Sequence, residues 1–211
     1  MMNQLRIKRY CHIKQGKVYL DGKLLLQKDA HANLNDITKS IFKFFSIKYP
    51  KFYKMDDISK LGFLSSELVF RGINYSSYRK EEVGLVLSNS NSTLITDSHF
   101  QESVRDYSDF YPSPSVFVYT LPNIMMGEIS IRHGFRGENA FYIFKSFNAR
   151  FIADYINQLF LSQKLKACLG GWVDHWDEGY EAFVYWADDS EDFPSKCDHT
   201  AEEIDRLYKL I

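Results

Sequence analysis

Residues 113–139, SPSVFVYTLPNIMMGEISIRHGFRGEN, decide how the fold of this chain is interpreted. The stretch begins with a Ser-Pro-Ser loop, continues through an aromatic and apolar run, and reaches an Asn followed by two methionines and a glycine. We predict a helix over about residues 121–132. The Gly-Phe-Arg-Gly run after it is expected to form a turn, since Gly134 and Gly137 suit backbone conformations with positive φ.

The composition is that of an ordinary globular domain. The chain has 211 residues, of which 45% are apolar, and its formal net charge is −1. This length suits one domain with a sizeable core, and we interpret residues 1–211 as a single domain. The near-neutral charge argues against a nucleic acid or an anionic membrane surface as the main partner. No apolar run approaches the ~20 residues that a membrane helix needs.

The start of the chain and its cysteines indicate a cytoplasmic protein. The first residues, MMNQLRIKRYCHIKQGK, are basic but contain no apolar core like that of a secretory signal. Cys11, Cys168 and Cys197 are odd in number and show no Cys-x-x-Cys spacing. We therefore expect reduced thiols in a cytosolic protein.

Hydrophobic patterns predict strands that alternate with helices. Asp21-Gly22 lies between two apolar-rich arms and predicts a hairpin. The segments EEVGLVLSNSN and NAFYIF are predicted to be buried strands, and KACLGGWV and EAFVYWA two further strands. Further helices are predicted over about residues 34–49, 55–70, 97–107, 146–163 and 200–207. The alternation favours an α/β fold, with helices packed on a mixed, mostly parallel sheet.

Residues 113–139 resemble the segment that leads to the nucleophile of a β-ketoacyl-acyl-carrier-protein synthase, a member of the thiolase-like superfamily. In that family a Ser-Pro loop precedes a hydrophobic gate, an Asn, a small residue next to Gly, and a Gly-x-Arg-Gly turn. Weaker likeness covers KMDDISKLGFLSSELVF, VGLVLSNSNSTLITDSHF and LGGWVD. The resemblance implies the N-terminal half of a thiolase-like fold.

The chemistry of this family does not carry over. A ketosynthase uses a Cys thiolate at a helix N-terminus, supported by two histidines. The matching position holds Ser146, and none of the six histidines lies in the family's Asn-x-His-Gly-x-Gly or Gly-His contexts. The resemblance therefore implies no catalytic residue, with Ser146 as a degenerate nucleophile. Ser146 also suits a helix N-cap, because its hydroxyl can accept a bond from a free amide.

Chains of this kind resemble chain-length factors, which pair with an active ketosynthase and shape the tunnel in which an acyl or polyene chain grows. In ketosynthase dimers the Ser-Pro gate segment of one protomer closes the far end of the other's pocket. Carried over by position, that segment is Ser113 to Asn123, in which Val116 and Thr120 match the family's gate residues and Phe117 and Tyr119 lie beside them. With Met125 and Met126 added, these are the candidate tunnel-gate and dimer-interface residues. Core packing is the alternative role for Phe117, Tyr119 and the two methionines.

No cofactor and no metal site is predicted. The cluster Asp174, His175, Asp177 and Glu178 contains metal-binding residue types, but they have no fixed spacing on one face, so we interpret it as a solvated loop. The acidic run at residues 188–193 is likewise interpreted as a solvated turn. The segment GLVLSNSNS has neither the P-loop nor the Rossmann spacing of a phosphate-binding loop.

We expect a non-catalytic, chain-length-factor-like subunit of carrier-protein-dependent fatty acid, aryl polyene or polyketide synthesis. Its expected partner is a catalytic ketosynthase subunit, on which the acyl carrier protein would mainly dock. Without that partner a homodimer is expected, because half of the family fold leaves an apolar face to cover. Two alternatives stay open: an active 3-oxoacyl-carrier-protein synthase or acyltransferase that uses Ser146, and a stand-alone acyl-binding module.

Overall fold

The computed structural model describes residues 4–29, 32–105, 112–177 and 179–211. Within these ranges, eight strands form one mixed sheet, and helices cover both of its faces. The strands are β1 Arg6–Lys14, β2 Lys17–Leu20, β3 Lys23–Gln27, β4 Val83–Asn89, β5 Asn139–Ile143, β6 Ala167–Trp176, β7 Gly179–Asp188 and β8 Cys197–Asp198. The α-helices are α1 Leu34–Phe44, α2 Asp57–Phe70, α3 Leu94–Val104, α4 Pro114–Val118, α5 Ile124–His133, α6 Ala149–Leu161 and α7 Ala201–Tyr208.

The sheet has the order β3-β2-β1-β7-β6-β4-β5, and β8 pairs with β1. Strand β4 runs parallel to β5 and to β6, whereas the other pairings between described strands are antiparallel. The expected α/β architecture with a mixed sheet is confirmed, but most pairings are antiparallel and not parallel. The reason is that β6 and β7 follow each other in the chain and pair antiparallel, and β1 then adds antiparallel to β7.

The predicted hairpin is confirmed at β2 and β3. Its two turn residues, Asp21 and Gly22, have φ angles of 52° and 77°. Two consecutive positive φ angles are those of a type I′ turn, whose twist matches that of the flanking strands. The Asp21 carboxylate also accepts a hydrogen bond from the main-chain N of Tyr10 at 3.1 Å, which ties the turn to β1.

Side chains of the central strands alternate between two apolar clusters on opposite sides of the sheet. In β7, Val184 and Trp186 belong to one cluster, and Phe183 and Tyr185 to the other. Helices α1, α2 and α5 cover the first side, which we call the α2/α5 face. Helices α6 and α7 cover the second, the α6/α7 face. The gate segment and Ser146 therefore lie in different layers of the molecule.

Strand β5 lies at an edge of the sheet. Among the described strands it pairs only with β4, and its five residues are half-buried or exposed. The prediction of a buried strand in NAFYIF is therefore wrong. The same prediction is confirmed for β4, which is buried at every position because it lies between β5 and β6.

Helix α3 begins three residues before the predicted position. The predicted end of that helix at Tyr107 lies outside the described residues, as do His31 and Glu178. In the described ranges, no helix has the length and the apolar character that crossing a membrane requires.

Candidate functional site

Ser146 lies in the loop of residues 144–148, between the end of β5 and the start of α6. The main-chain N of Phe144 donates to the Asn89 carbonyl at 2.9 Å, which fixes the loop to the end of β4. The Phe147 ring lies 4.7 Å from that of Tyr208 and anchors the loop on α7. Between these anchors, Ser146 points to solvent, since its side chain is exposed.

Ser146 does not cap the helix that follows it. The N-cap of α6 is Asn148, whose Oδ1 accepts a hydrogen bond from the main-chain N of Phe151 at 3.0 Å. The prediction of an N-cap at Ser146 is wrong because Phe147 is held in the α6/α7 cluster, so the helix begins only at Ala149.

Ser146 lines an open cleft of about 560 Å³ between its loop and α7. Lys145 and Arg150 contribute positive charge to this cleft, and Glu202 and Asp205 contribute negative charge. No histidine or cysteine is among the described residues that line it. A serine hydroxyl is a weak nucleophile without an adjacent general base. The cleft therefore gives Ser146 access to solvent but no imidazole to activate it.

Two histidines of the α6/α7 face are buried beneath this layer. His12 Nε2 lies 3.3 Å from the Tyr208 carbonyl. His199 contacts the Tyr185 hydroxyl at 3.1 Å through Nε2 and Asn157 Oδ1 at 2.9 Å through Nδ1. Burial lowers the pKa of both rings to about 4. Both are therefore neutral at pH 7 and serve to join strands to helices.

The cysteines offer no thiolate at neutral pH. Cys11 and Cys168 are fully buried, and burial raises the pKa of both thiols. Cys197 is half-buried, and burial together with the nearby Glu203 raises its pKa to about 12. Since the thiolate and not the thiol is the reactive species, these three side chains are suited to packing.

Helix α4, which we call the gate helix, presents apolar side chains to solvent. Phe117 is 54% exposed and Val118 44% exposed. Leu121, just after the helix, and Leu94 at the start of α3 are also exposed. Because α3 contacts the gate segment through Phe100 and Thr93, we call these four exposed side chains together the gate patch. Apolar patches on a surface commonly mark sites of protein interaction.

Tyr119, directly after the gate helix, points the other way. It is buried, and its hydroxyl donates to Glu128 Oε1 at 3.0 Å. The same oxygen accepts from Lys51 Nζ at 2.8 Å. Glu128 itself is buried on α5. The burial of Tyr119 and the negative charge of Glu128 raise the pKa of Tyr119, so the phenol stays protonated and donates. Tyr119 thus ties the gate helix to the α2/α5 layer.

Met125 and Met126 are core residues of α5, with almost no exposed surface. Met125 packs against α2 at Gly62, where an added Cβ would collide with the Met125 side chain. This contact lets α2 and α5 approach closely. Both methionines and Tyr119 therefore pack in the core. Phe117 does not, because it is mostly exposed.

A cavity of about 250 Å³ lies behind the gate helix. Val116 and Tyr119 line one side, and Asp56, Thr96 and His175 line the other. The Thr96 hydroxyl donates to Asp56 at 2.6 Å, and burial raises the pKa of Asp56. The cavity thus lies between the gate helix, the first turn of α2, helix α3 and the end of β6.

Thr120 lies at the end of the gate segment and is half-buried. Its hydroxyl donates to the Phe117 carbonyl at 2.7 Å, and its own carbonyl accepts from Thr93 Oγ1 at 2.8 Å. These bonds connect the segment to α3. Of the six candidate gate residues, Val116 and Tyr119 line the cavity, whereas Met125 and Met126 lie apart from it in the core.

One member of the acidic cluster after the Gly-Gly pair, Asp174, has a structural role. Asp174 is buried and accepts from the Ser90 hydroxyl at 2.5 Å and from the main-chain N of Asn91 at 3.2 Å. It therefore shapes the loop after β4 and is not a solvated residue. In the part of the chain that the structure describes, which lacks Glu178, no group of three His, Cys, Asp or Glu side chains is arranged to hold a metal ion.

Glu128 was missed by the sequence analysis. It is the buried acceptor that fixes Tyr119, and it shares one helix face with the buried Met125 and Ile129. A carboxylate on an apolar helix face needs a partner, so this pattern is the signal that points to Glu128. Its partner Lys51 lies in a 3-10 helix, Pro50–Lys54, and no local pattern connects the two.

Comparison with solved structures gives the fold a context. The sequence matches no protein-family model and no curated protein. The ishigamide ketosynthase/chain length factor is 12% identical with a TM-score of 0.63, over 91% of this chain and 64% of that one. A chain of a second structure, a type II polyketide synthase acyl-carrier protein in complex with its ketosynthase bound to the hexaketide, is 11% identical. Its TM-score is 0.60, over 90% of this chain and 63% of that one.

A third structure is similar over nearly the whole of both chains. It is a ketosynthase in complex with its chain length factor from Xenorhabdus doucetiae, and the match has 10% identity and a TM-score of 0.55 over 97% of this chain and 90% of that one. This chain spans just under two thirds of the first two chains but most of the third. At these identities the likeness is one of fold: the protein has the thiolase-like architecture of ketosynthase and chain-length-factor chains.

Proposed function

We propose that this chain is a non-catalytic, chain-length-factor-like subunit that pairs with an active β-ketoacyl synthase. The proposed pathway class is carrier-protein-dependent fatty acid, aryl polyene or polyketide synthesis. In this proposal the acyl carrier protein docks mainly on the active partner, and the chain forms a homodimer when it is produced alone.

The observation that carries the proposal is the contrast between Ser146 and the gate patch. The serine at the nucleophile position is exposed in a cleft whose described lining contains no histidine or cysteine. The gate patch, by comparison, presents Phe117 and its apolar neighbours to solvent. A surface of this kind suits association with another protein better than it suits acyl transfer.

The comparisons support a partner of the ketosynthase type. One chain of a ketosynthase–chain length factor complex is similar over 90% of its own length, so a chain of comparable length exists in such an assembly. Another similar chain belongs to a complex of a ketosynthase with its acyl-carrier protein. These likenesses concern fold, and the partner is inferred from them together with the gate patch.

A stand-alone acyl-binding module is less well supported. The cavity behind the gate helix holds about 250 Å³. Pockets that enclose a drug-sized ligand usually hold about 300–1,000 Å³ and are lined mostly by apolar side chains. This cavity is smaller and includes Asp56, Asp57 and His175 in its lining, so it is poorly suited to a fatty chain.

The proposal is tested by co-expressing the chain with a full-length ketosynthase and an acyl carrier protein from the same genome. Replacing Phe117 with Ala removes the largest exposed ring of the gate patch, and an aromatic residue central to an interface can contribute about 2 kcal/mol or more. We expect weaker co-purification or a changed distribution of product lengths. Leu161→Ala is the matched control, because Leu161 is 66% exposed but lies on the opposite face. An intact complex with unaltered products for Phe117→Ala, and also for a larger side chain at Val116, would contradict the proposal.

The enzyme alternative has its own test. The purified chain is incubated with malonyl- and acyl-carrier protein, and its intact mass is measured. We expect no acyl adduct on the chain. An adduct that disappears in Ser146→Ala would establish acyl transfer by this serine and overturn the non-catalytic assignment.

A further inference from the structure

We propose that Glu128 is a positioning residue for the gate helix: through Tyr119 it sets how the helix presents Phe117 and Val118 to a partner. This inference rests on the proposed function for its effect on product length. Its effect on the gate helix itself is measurable in the isolated chain.

The gate helix is held on one side by α3: the Phe117 ring lies 5.3 Å from the Phe100 ring, and the Thr120 carbonyl accepts from Thr93 Oγ1 at 2.8 Å. None of its five residues, Pro114–Val118, is buried. The Ser113 hydroxyl caps it locally by accepting from the main-chain N of Val116 at 3.4 Å. Among the side chains of residues 113–120 the buried one is Tyr119, which is 6% exposed and donates to Glu128.

We call the hydrogen bond from Tyr119 to Glu128 the tether, and its acceptor, the Glu128 carboxylate, is itself held in place. Glu128 lies on α5 between core residues, and Lys51 Nζ contacts its Oε1 at 2.8 Å. This ammonium supplies the positive partner that a buried carboxylate requires. No hydrogen bond of acceptable geometry from the described residues reaches the other oxygen, Oε2. Tyr49 is a second phenol beside this carboxylate, since burial, the charge of Glu128 and a side-chain hydrogen bond to Glu128 raise the pKa of Tyr49. Tyr119 is the phenol that links Glu128 to the gate helix.

The cavity behind the gate helix leaves room for the helix to move when the hydrogen bond from Tyr119 to Glu128 is absent. The cavity of about 250 Å³ separates Val116 and Tyr119 from Asp56 and Thr96. A close-packed interior would hold the helix by contact alone. Here the helix borders an opening into which it can shift once the hydrogen bond is lost, and the orientation of Phe117 would shift with it.

The first experiment measures amide hydrogen exchange in the isolated chain. Tyr119→Phe removes the hydroxyl and keeps the ring. We expect exchange in residues 114–121 to accelerate about tenfold, which corresponds to about 1.4 kcal/mol. Tyr75→Phe is the matched control, because it deletes another partly buried hydroxyl, bonded to His133 Nδ1 at 2.9 Å, away from the gate helix. Equal exchange in residues 114–121 for Tyr119→Phe and wild type would overturn the proposal.

The second experiment uses the complex with the ketosynthase and compares two changes at Glu128. Glu128→Gln keeps a carbonyl that can accept from Tyr119, whereas Glu128→Leu cannot accept. We expect Glu128→Leu and Tyr119→Phe to shift product lengths in the same direction, and Glu128→Gln to stay closer to wild type. A merely structural role would lower stability in all three without this pattern in the products.

The outcomes separate this inference from the proposed function. If Phe117→Ala changes product length but Tyr119→Phe and Glu128→Leu do not, the tether fails and the proposed function stands. If none of the three changes it and the complex stays intact, the proposed function fails. The exchange experiment then decides the tether alone. Tyr119→Phe serves in both experiments if Glu128→Leu does not fold.

Discussion

The two faces of the sheet use their side chains in different ways. The α6/α7 face holds the groups that suggest catalysis, namely His12, His199, Cys168 and Tyr185, and all four are buried. The α2/α5 face is built mainly from apolar side chains, yet it carries the gate helix and an exposed apolar patch. These four reactive side chains are thus used for packing, whereas the apolar side chains of the gate patch lie at the surface. Accessibility, and not residue type, therefore separates candidate functional groups from structural ones.

The largest expected effect concerns the core beneath the gate helix. Met126 is fully buried, so Met126→Ala should lower the free energy of unfolding by about 2–5 kcal/mol. Phe117→Ala removes a mostly exposed ring and should change it by about 0.5 kcal/mol or less. Urea unfolding measures both. Similar losses for the two variants would show that Phe117 belongs to the core and break the comparison.

The next effect is a pH dependence that comes from the α6/α7 face. The folded-state pKa of His199 is about 4, below its ordinary value of 6.5, so between these values the unfolded state binds more protons. The stability from the neutral ring is complete above pH 6.5 and is lost as pH falls toward 4, by at most about 3 kcal/mol.

The check for this pH dependence is urea unfolding at pH 7.5, 6, 5 and 4. Since His12 has a similarly lowered pKa, His199→Gln should reduce the slope between pH 6.5 and 4 without abolishing it. His99→Gln is the control, because His99 is exposed on α3. An unchanged slope in His199→Gln would contradict the assignment of this ring as neutral.

A smaller effect is expected at the start of α6. Asn148→Ala removes the side chain that accepts from the Phe151 amide and should cost about 1 kcal/mol. Thermal unfolding of this variant, compared with wild type, measures the loss. Asn148→Ser should recover part of it, since Ser is also a good N-cap. No loss in Asn148→Ala would mean that the cap contributes nothing to the helix.

The smallest effect is expected two residues earlier. Ser146→Ala removes an exposed hydroxyl, so its unfolding free energy should stay within about 0.5 kcal/mol of wild type. Product lengths in the complex should also be unchanged. A loss of product in Ser146→Ala alone would show that Ser146 takes part in the reaction, and the α6/α7 face would then carry a catalytic group.

Local patterns in the sequence predict many of the elements. Asp21-Gly22 specifies its turn through backbone conformation alone, and it forms as predicted. The Thr-x-x-Glu pattern at Thr200 and Glu203 is typical of a capped helix start, and the Thr200 hydroxyl accepts from the Glu203 amide at 3.2 Å. The apolar spacing in α2 and α6 likewise identifies both helices. These predictions succeed because each depends on residues a few positions apart.

Features that depend on distant residues could not be predicted. The run at residues 188–193 was expected to be a solvated turn, yet Asp188 is buried and lies 3.5 Å from Lys8 Nζ in β1. The direction of Tyr119 depends in the same way on Glu128 and Lys51, because a five-residue helix has too little periodicity to define an inward face. The antiparallel placement of β1 beside β7 is another long-range choice.

Strand β5 joins the two regions that were singled out for function, because α5 precedes it and the Ser146 loop follows it. It is held along one side by β4, whereas β6 and β7 each have neighbours on both sides. Local opening should therefore begin at this margin more readily than at the centre of the sheet. A protein that bound along β5 would therefore restrain both α5 and the Ser146 loop, one on each face of the sheet.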